Sequence, residues 1–419
     1  MRGSTSTATV SLCLATLLSV AFGPSASAAS RAPSTPVRPS APSVQQAELT
    51  ASDGAAGDSF GGSLSVSRGT AVVGAPGQNN QTGAAYVFVR SHEKWSQQAK
   101  LTASDGASND AFGDSVAISG DTAVVGAEGW SSATGAAYVF VRSGDTWTQQ
   151  AKLTAPRGAP FDGFGISVAI SDSTVVVGDY QKDAGTGAAY VFTRSSDRWS
   201  RQAKLAASDG AKNNSFGYAV AISGSTAVVG AFARNSFIGA AYVFVRSNAV
   251  WSQQAELTAS DGASDDYFGG SVAVSGSTAL VGALNKNDLT GAAYVFVRSG
   301  TTWSQQRKLT ASDGVSGDNF GTSVALSGDT AVVGASSKNS YAGVAYVFVR
   351  SAATWSQQAE LTASDGASFD GFGSTAAVYG TTAVVGAPYK GFDTGAAYVF
   401  VGLGSPTRGG STAGRAPTA

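Results

Sequence analysis

The sequence predicts an all-β fold, a seven-bladed β-propeller with four antiparallel strands per blade, and three observations carry that expectation. The dipeptide Phe-Gly recurs at Phe60, Phe112, Phe164, Phe216, Phe268, Phe320 and Phe372, always 52 residues apart. In the same register, Val-Gly places glycines at Gly74, Gly126, Gly178, Gly230, Gly282, Gly334 and Gly386, and Ala-Tyr-Val-Phe places tyrosines at Tyr86, Tyr138, Tyr190, Tyr242, Tyr294, Tyr346 and Tyr398. The third observation concerns the ends: the seventh unit stops after its third strand at Val401, and Val44 to Ala51 is a spare copy of the fourth. A unit of this length cannot bury its own apolar faces, whereas a closed ring buries all of them and limits exposed edges. The N-terminal copy is therefore expected to supply the outer strand of the last blade.

Within the second unit, Phe112 to Ser119 reads as a strand, Gly120-Asp121 as a two-residue hairpin turn, and Thr122 to Ala127 as a small apolar strand. After a variable loop, Gly135 to Arg142 reads as the third strand, Ser143 to Thr146 as a turn and Trp147 to Leu153 as the fourth. Alternation predicts that Trp147, Ala151 and Leu153 face one way and Thr148, Gln150 and Lys152 the other, which marks this strand as the outer one. The composition agrees: 53 glycines and only 13% charged residues suit short strands and tight turns.

Outside the repeats, Arg2, an apolar stretch from Ala8 to Phe22 and Ala26-Ser27-Ala28 read as a secretory signal cleaved after Ala28. Ala29 to Pro42 and Gly402 to Ala419 read as Pro/Ser-rich and Gly/Ser-rich tethers flanking a propeller of residues 43–401. Cys13 is the only cysteine and lies within the signal, so the exported chain has no disulfide and no thiolate chemistry. No transmembrane segment is expected in the mature chain. Residues 43–401 hold every acidic residue, 28, against 22 basic ones, a net −6 that argues against nucleic acid as a partner.

Phe-Gly followed at a fixed distance by Val-Gly-Ala-Pro (Val73 to Pro76, and Val385 to Pro388) resembles the FG-GAP repeat of the integrin α-subunit head and of many bacterial exported proteins. The likeness covers residues 43 to 401 and is nearest to bacterial forms with a strand such as Trp95 to Leu101. It implies a seven-bladed propeller acting in recognition or adhesion. Five units depart from the pattern by replacing the final proline with Glu128, Tyr180, Phe232, Leu284 and Ser336. The integrin-type calcium loop between the first two strands is absent. Gly120-Asp121 or Ser223 to Ser225 stands there, too short to supply the six to eight oxygen ligands that Ca²⁺ takes.

Strand direction alternates within a blade, so the loops joining strands 2 to 3, and strand 4 to the next strand 1, emerge on one face. One set pairs Asp53 with Asp58, Asp105 with Asp110, Asp261 with Asp266, Asp313 with Asp318 and Asp365 with Asp370; Asp209 pairs with Asn214, and Arg157 replaces the first Asp beside Asp162. Asp-Gly turns with capping carboxylates explain the pattern, and a non-integrin Ca²⁺ set is the alternative. No cofactor is otherwise expected. The other set varies between units and carries Trp130, Tyr180, Phe232, Phe237, Tyr341, Tyr389 and Phe392, the candidate ligand-binding residues. Trp95 and its five repeats are expected to pack between blades. The sole histidine, His92, belongs to a solvated turn, and no nucleophile elbow or phosphate loop appears. These features predict a monomeric, non-enzymatic module that binds an extracellular glycan or protein through one face. A hydrolase or lyase acting on an extracellular polymer, and a structural envelope spacer, are the alternatives.

Overall fold

Where one blade meets the next, backbone packs directly on backbone, and glycine permits it. In the computed structural model, which describes residues 43–404, Phe112 forms a parallel bridge with Gly83 of the preceding unit. The bridge recurs at every junction, the last being Phe60 with Gly395. A Cβ at Gly83 would overlap the Phe112 carbonyl, one at Gly113 the Ala84 carbonyl, and one at Gly74 the Gly113 carbonyl. Gly83 and Gly113 also adopt φ of 84° and 98°, a region that side chains rarely enter. The Phe-Gly and Val-Gly landmarks of the sequence, with the glycine that precedes each third strand, are thus the two sides of one junction.

Seven antiparallel sheets of four strands result, and the last has the order Val44–Leu49, Ala396–Val401, Thr382–Ala387, Thr375–Tyr379. The N-terminal strand pairs Val44 with Val401 and Leu49 with Ala397, closing the ring as expected. Each Phe of the Phe-Gly pair is fully buried and meets the tyrosine and the second phenylalanine of its own unit at a steep angle, edge-on in unit 1, where Phe60 lies 5.6 Å from Tyr86 and 5.9 Å from Phe88. Such pairs add about 0.5–1.5 kcal/mol each beyond area burial.

Three local expectations change. The first strand of unit 2 is only Val116–Ser119, because Phe112 and left-handed Gly113 are committed to the neighbouring blade. The third strand begins at Ala136, since Gly135 bridges Phe164. The fourth strand, Thr146–Leu153, carries a bulge: Phe140 pairs with Gln149 and Val139 with Ala151, leaving Gln150 over. A bulge reverses the facing of everything beyond it. Trp147 therefore packs with Tyr138 and Phe140 toward blade 1, while Ala151 and Leu153 pack toward blade 3, correcting the single alternation read from sequence.

The bulge gives the Gln-Gln doublet its use. The first glutamine turns back: Gln97 Nε2 donates to Ser52 Oγ at 3.0 Å, and its Oε1 accepts the Ser52 N–H. The second reaches forward: Gln98 Oε1 accepts Trp147 Nε1–H at 3.0 Å. The N-terminal strand repeats both contacts, with Gln45 on Ser364 and Gln46 accepting from Trp95. The tryptophans pack between blades as expected, each half-buried or, at Trp355, buried.

On the opposite side of each junction, the strand 2–3 loop makes a left-handed turn. In unit 1 Asn79, Asn80 and Gln81 all have positive φ, and the carbonyls of residues 80, 81 and 82 accept N–H groups of Asn109, Ala111 and Phe112 from the incoming loop. The fold runs past the expected boundary at Val401: Leu403 is fully buried between blades 6 and 7, and its N–H donates to Thr381. The signal, the linker through Pro42 and the tail from Ser405 lie outside the described residues.

Deleting residues 43–52 exposes the edge of Ala396–Val401 and removes both glutamine contacts of the closing strand. The melting temperature should fall by about 10 °C or more, since the loss of a whole strand costs many times the 1 kcal/mol that shifts the melt by roughly 2–4 °C in a domain of 150–250 residues. An unchanged melt in differential scanning calorimetry would contradict closure by this strand.

Candidate functional site

The loop face carries the residues singled out in the sequence, and the structure separates them into sets with different roles. The two carboxylates of an Asp pair have different partners, except that in units 5 and 6 both also meet one ammonium, Lys286 for Asp261 and Asp266 and Lys338 for Asp313 and Asp318. Asp58 Oδ2 accepts the Ala55 N–H at 2.8 Å, and Asp110, Asp266, Asp318 and Asp370 accept the corresponding N–H groups of Ala107, Ala263, Val315 and Ala367. The first Asp turns elsewhere. Asp53 accepts the Tyr86 hydroxyl at 2.7 Å and the Lys100 ammonium at 2.6 Å. Asp105, Asp261, Asp313 and Asp365 accept Tyr138, Tyr294, Tyr346 and Tyr398, together with Lys152, Lys308, Lys338 and Lys390 respectively. The Lys100 ammonium, and next the Tyr86 hydroxyl, hold the Asp53 carboxyl below its usual range. Capping thus engages Oδ2 of each second Asp, and the tyrosine and the cation engage both oxygens of each first Asp. Among the described residues, no three His, Cys, Asp or Glu side chains cluster in a way that could hold a metal ion.

The aromatic candidates divide into three. Trp130 folds back on the rim, where Lys152 Nζ sits 3.3 Å from its ring centroid. Tyr180, Phe232 and Phe237 join a chain of rings completed by Tyr218 and Tyr267, with Tyr218 4.5 Å from Phe232 and Phe237 5.0 Å from Tyr267. This chain packs largely on itself, and only the edges of Tyr218 and Phe237 are well exposed.

Tyr341, Tyr389 and Phe392 come together in a cleft of about 640 Å³ between blades 6 and 7, with Phe369 as a fourth ring. Tyr341 and Phe369 stack at 5.8 Å, 11° from parallel. Exposure is 55% for Tyr341 and Tyr389, 67% for Phe369 and 91% for Phe392. Three of the four occupy the left-handed region, with φ of 63° at Tyr341, 72° at Phe369 and 59° at Phe392. Positions equivalent to Phe369 hold Gly57, Asn109, Asn213, Asp265 and Gly317, residues suited to that conformation, and Phe161 is the one other bulky exception. A bulky ring there costs on the order of 1 kcal/mol or more and recovers little by burial.

Three acids also break the repeat. Asp114 and Glu128 lie together near the mouth of the axial channel, where Gly62 and Pro76 stand in unit 1, and burial pushes their carboxyls up to about 6 and about 7. Asp179 replaces an alanine found in the other six units (Ala127 in unit 2), is 0% exposed, and neither carboxylate oxygen has a hydrogen-bond partner. Burial, and next the charge of Asp162, push it up to about 7. Because this folded value lies above the unfolded one, Asp179 destabilises the fold only where it ionises: the penalty is absent below pH 4, grows to about pH 7 and stays constant above. Asp179→Ala should therefore stabilise the protein by up to about 4 kcal/mol at pH 8, converting the shift at 1.36 kcal/mol per unit, and by much less at pH 4. Denaturant titrations at the two pH values check this, and an equal effect at both would refute it.

Among the described residues, no helix is long and apolar enough to cross a membrane. No curated protein matches the chain. The FG-GAP repeat family, by contrast, matches residues 43–88, 95–140, 147–192, 199–244, 251–296, 303–348 and 355–400, each segment running from an outer strand through the third strand of the next blade. With Phe-Gly and Val-Gly meeting at every junction and the match spanning most of its length, this chain belongs to the FG-GAP repeat family.

Proposed function

We propose that the protein is a secreted, non-enzymatic recognition or adhesion module that binds an extracellular glycan or protein through its loop face, with the Tyr341–Phe369–Tyr389–Phe392 cleft as the principal contact. The observation that carries this reading is that Phe369 stands exposed at a left-handed position where five of the other six units place glycine, asparagine or aspartate, beside the exposed rings of Tyr341, Tyr389 and Phe392. Strain retained without burial marks residues kept for contact with something outside the fold. Exposed parallel rings such as Tyr341 and Phe369 suit the flat, C–H-lined face of a pyranose, and the exposed Asp393 at the cleft edge can accept its hydroxyls. Secretion rests on the N-terminal segment ending at Ala28.

A glycan and cell-wall array probed with the mature chain tests the reading. Binding without loss of polymer is the expected result; release of product would favour a hydrolase or lyase, and binding to nothing an envelope spacer. Phe369→Gly places there the residue that units 1 and 6 carry, so the melting temperature should hold or rise while affinity falls about tenfold, or 1.4 kcal/mol. Undiminished affinity would remove the cleft from the proposal. For the Asp loops, thermal unfolding should be unchanged by millimolar Ca²⁺, and a rise of several degrees would show that the carboxylates leave their present partners for the ion.

A further inference from the structure

Unit 3 departs from the repeat in a coordinated way. In the other six units one position is serine, the next aspartate, and the first residue of the outer-strand doublet glutamine; unit 3 has Pro156, Arg157 and Arg201. Elsewhere the serine and glutamine bond each other, and the aspartate accepts the tyrosine hydroxyl and a cation. Unit 3 has lost both partners of the first contact and reversed the charge of the second. It nevertheless keeps Lys182 and Lys204, the two cations that serve the aspartate in unit 5 as Lys286 and Lys308.

These residues, with Tyr190 and Asp183, line a pocket of about 510 Å³ on the outer rim of blade 3. Lys182 is buried and paired with Asp162 at 2.7 Å, and it also donates to the Arg157 carbonyl; Lys204 contacts Asp183 at 3.2 Å. A further carboxylate of the unit, Asp179, is buried beneath the surface. Among the described residues, Arg157 and Arg201 have no ion pair and no side-chain hydrogen bond, and the Tyr190 hydroxyl has no aspartate to bond. Both guanidinium groups are exposed, and each offers a planar fork of donors that matches a carboxylate or sulfate.

We infer that this rim pocket binds the anionic group of an acidic polysaccharide, a carboxylate or a sulfate ester, between Arg157, Arg201, Lys204 and the Tyr190 hydroxyl. The pocket admits a group the size of one sugar residue. The propeller around it carries a net −6, so attraction to an anionic chain is confined to this cluster rather than spread over the surface. The site is separate from the aromatic cleft, so each can fail without the other.

The test compares the wild type with Pro156→Ser/Arg157→Asp/Arg201→Gln, which restores the residues of the other six units. Polygalacturonate, dextran sulfate, neutral dextran and polyglutamate are the probes, measured by titration calorimetry at two ionic strengths. The wild type should bind the first two, more weakly at high salt, and ignore dextran. The restored variant should lose at least tenfold in affinity while melting no lower. Whichever of polygalacturonate and dextran sulfate binds tighter identifies the anion. Arg201→Gln alone, at an exposed strand position, should lose about threefold and serves if the triple variant misfolds. Unchanged binding in both variants, no preference for the polyanions over dextran, or polyglutamate binding as tightly as the polysaccharides would overturn the inference.

Discussion

Direct contact between backbones at the blade junction is the constraint on which this structure depends. Because Gly74, Gly83 and Gly113 let the chains of adjacent blades touch, the distance between neighbouring sheets is set by main-chain atoms and is the same seven times. A side chain at any of the three would push one junction apart, and in a closed ring that displacement has nowhere to go. The constant spacing of 52 residues follows, since an insertion at the junction would shift the bridge. It also fixes where variation is tolerated, namely the strand 2–3 loop beyond its left-handed turn and the outer rim.

Much of the fold was legible because its signals are periodic. The Phe-Gly spacing defined the blades, and the unmatched copy at Val44 to Ala51 gave the closure. The facing of the outer strand was not legible, because a bulge at Gln150 is invisible to an alternation count. Nothing in a single strand marks the extra residue; the Gln-Gln doublet is the signal, and it gains meaning only when Ser104 and Trp199, the partners of Gln149 and Gln150, are known to lie on opposite sides. Leu403 was hidden by its surroundings, an isolated apolar residue in a segment of glycine, serine and proline.

The site was legible in part. Aromatic residues in one variable loop set pointed to Tyr341, Tyr389 and Phe392, but Phe369 belongs to the other set, read mainly for its aspartates. Trp130, equally conspicuous in sequence, proved to cover Lys152. The difference lies in backbone conformation and in partners brought from other strands, neither of which a list of residue types contains. The Asp pairs illustrate the same point: Asp53 finds Tyr86 and Lys100, both beyond the reach of any local spacing argument.

The closing strand has a consequence for how the molecule is made. Each family segment joins the outer strand of one blade to the inner three of the next, so consecutive segments can dock as they appear during synthesis. Val44–Leu49 is the exception: it emerges first, yet its partner Ala396–Val401 emerges last. Until then it is an unpaired strand, and joining the two ends closes the longest loop in the chain, the slowest kind of contact to form. A polypeptide built from seven nearly interchangeable parts thus becomes whole only at its final step, when the first strand made meets one of the last.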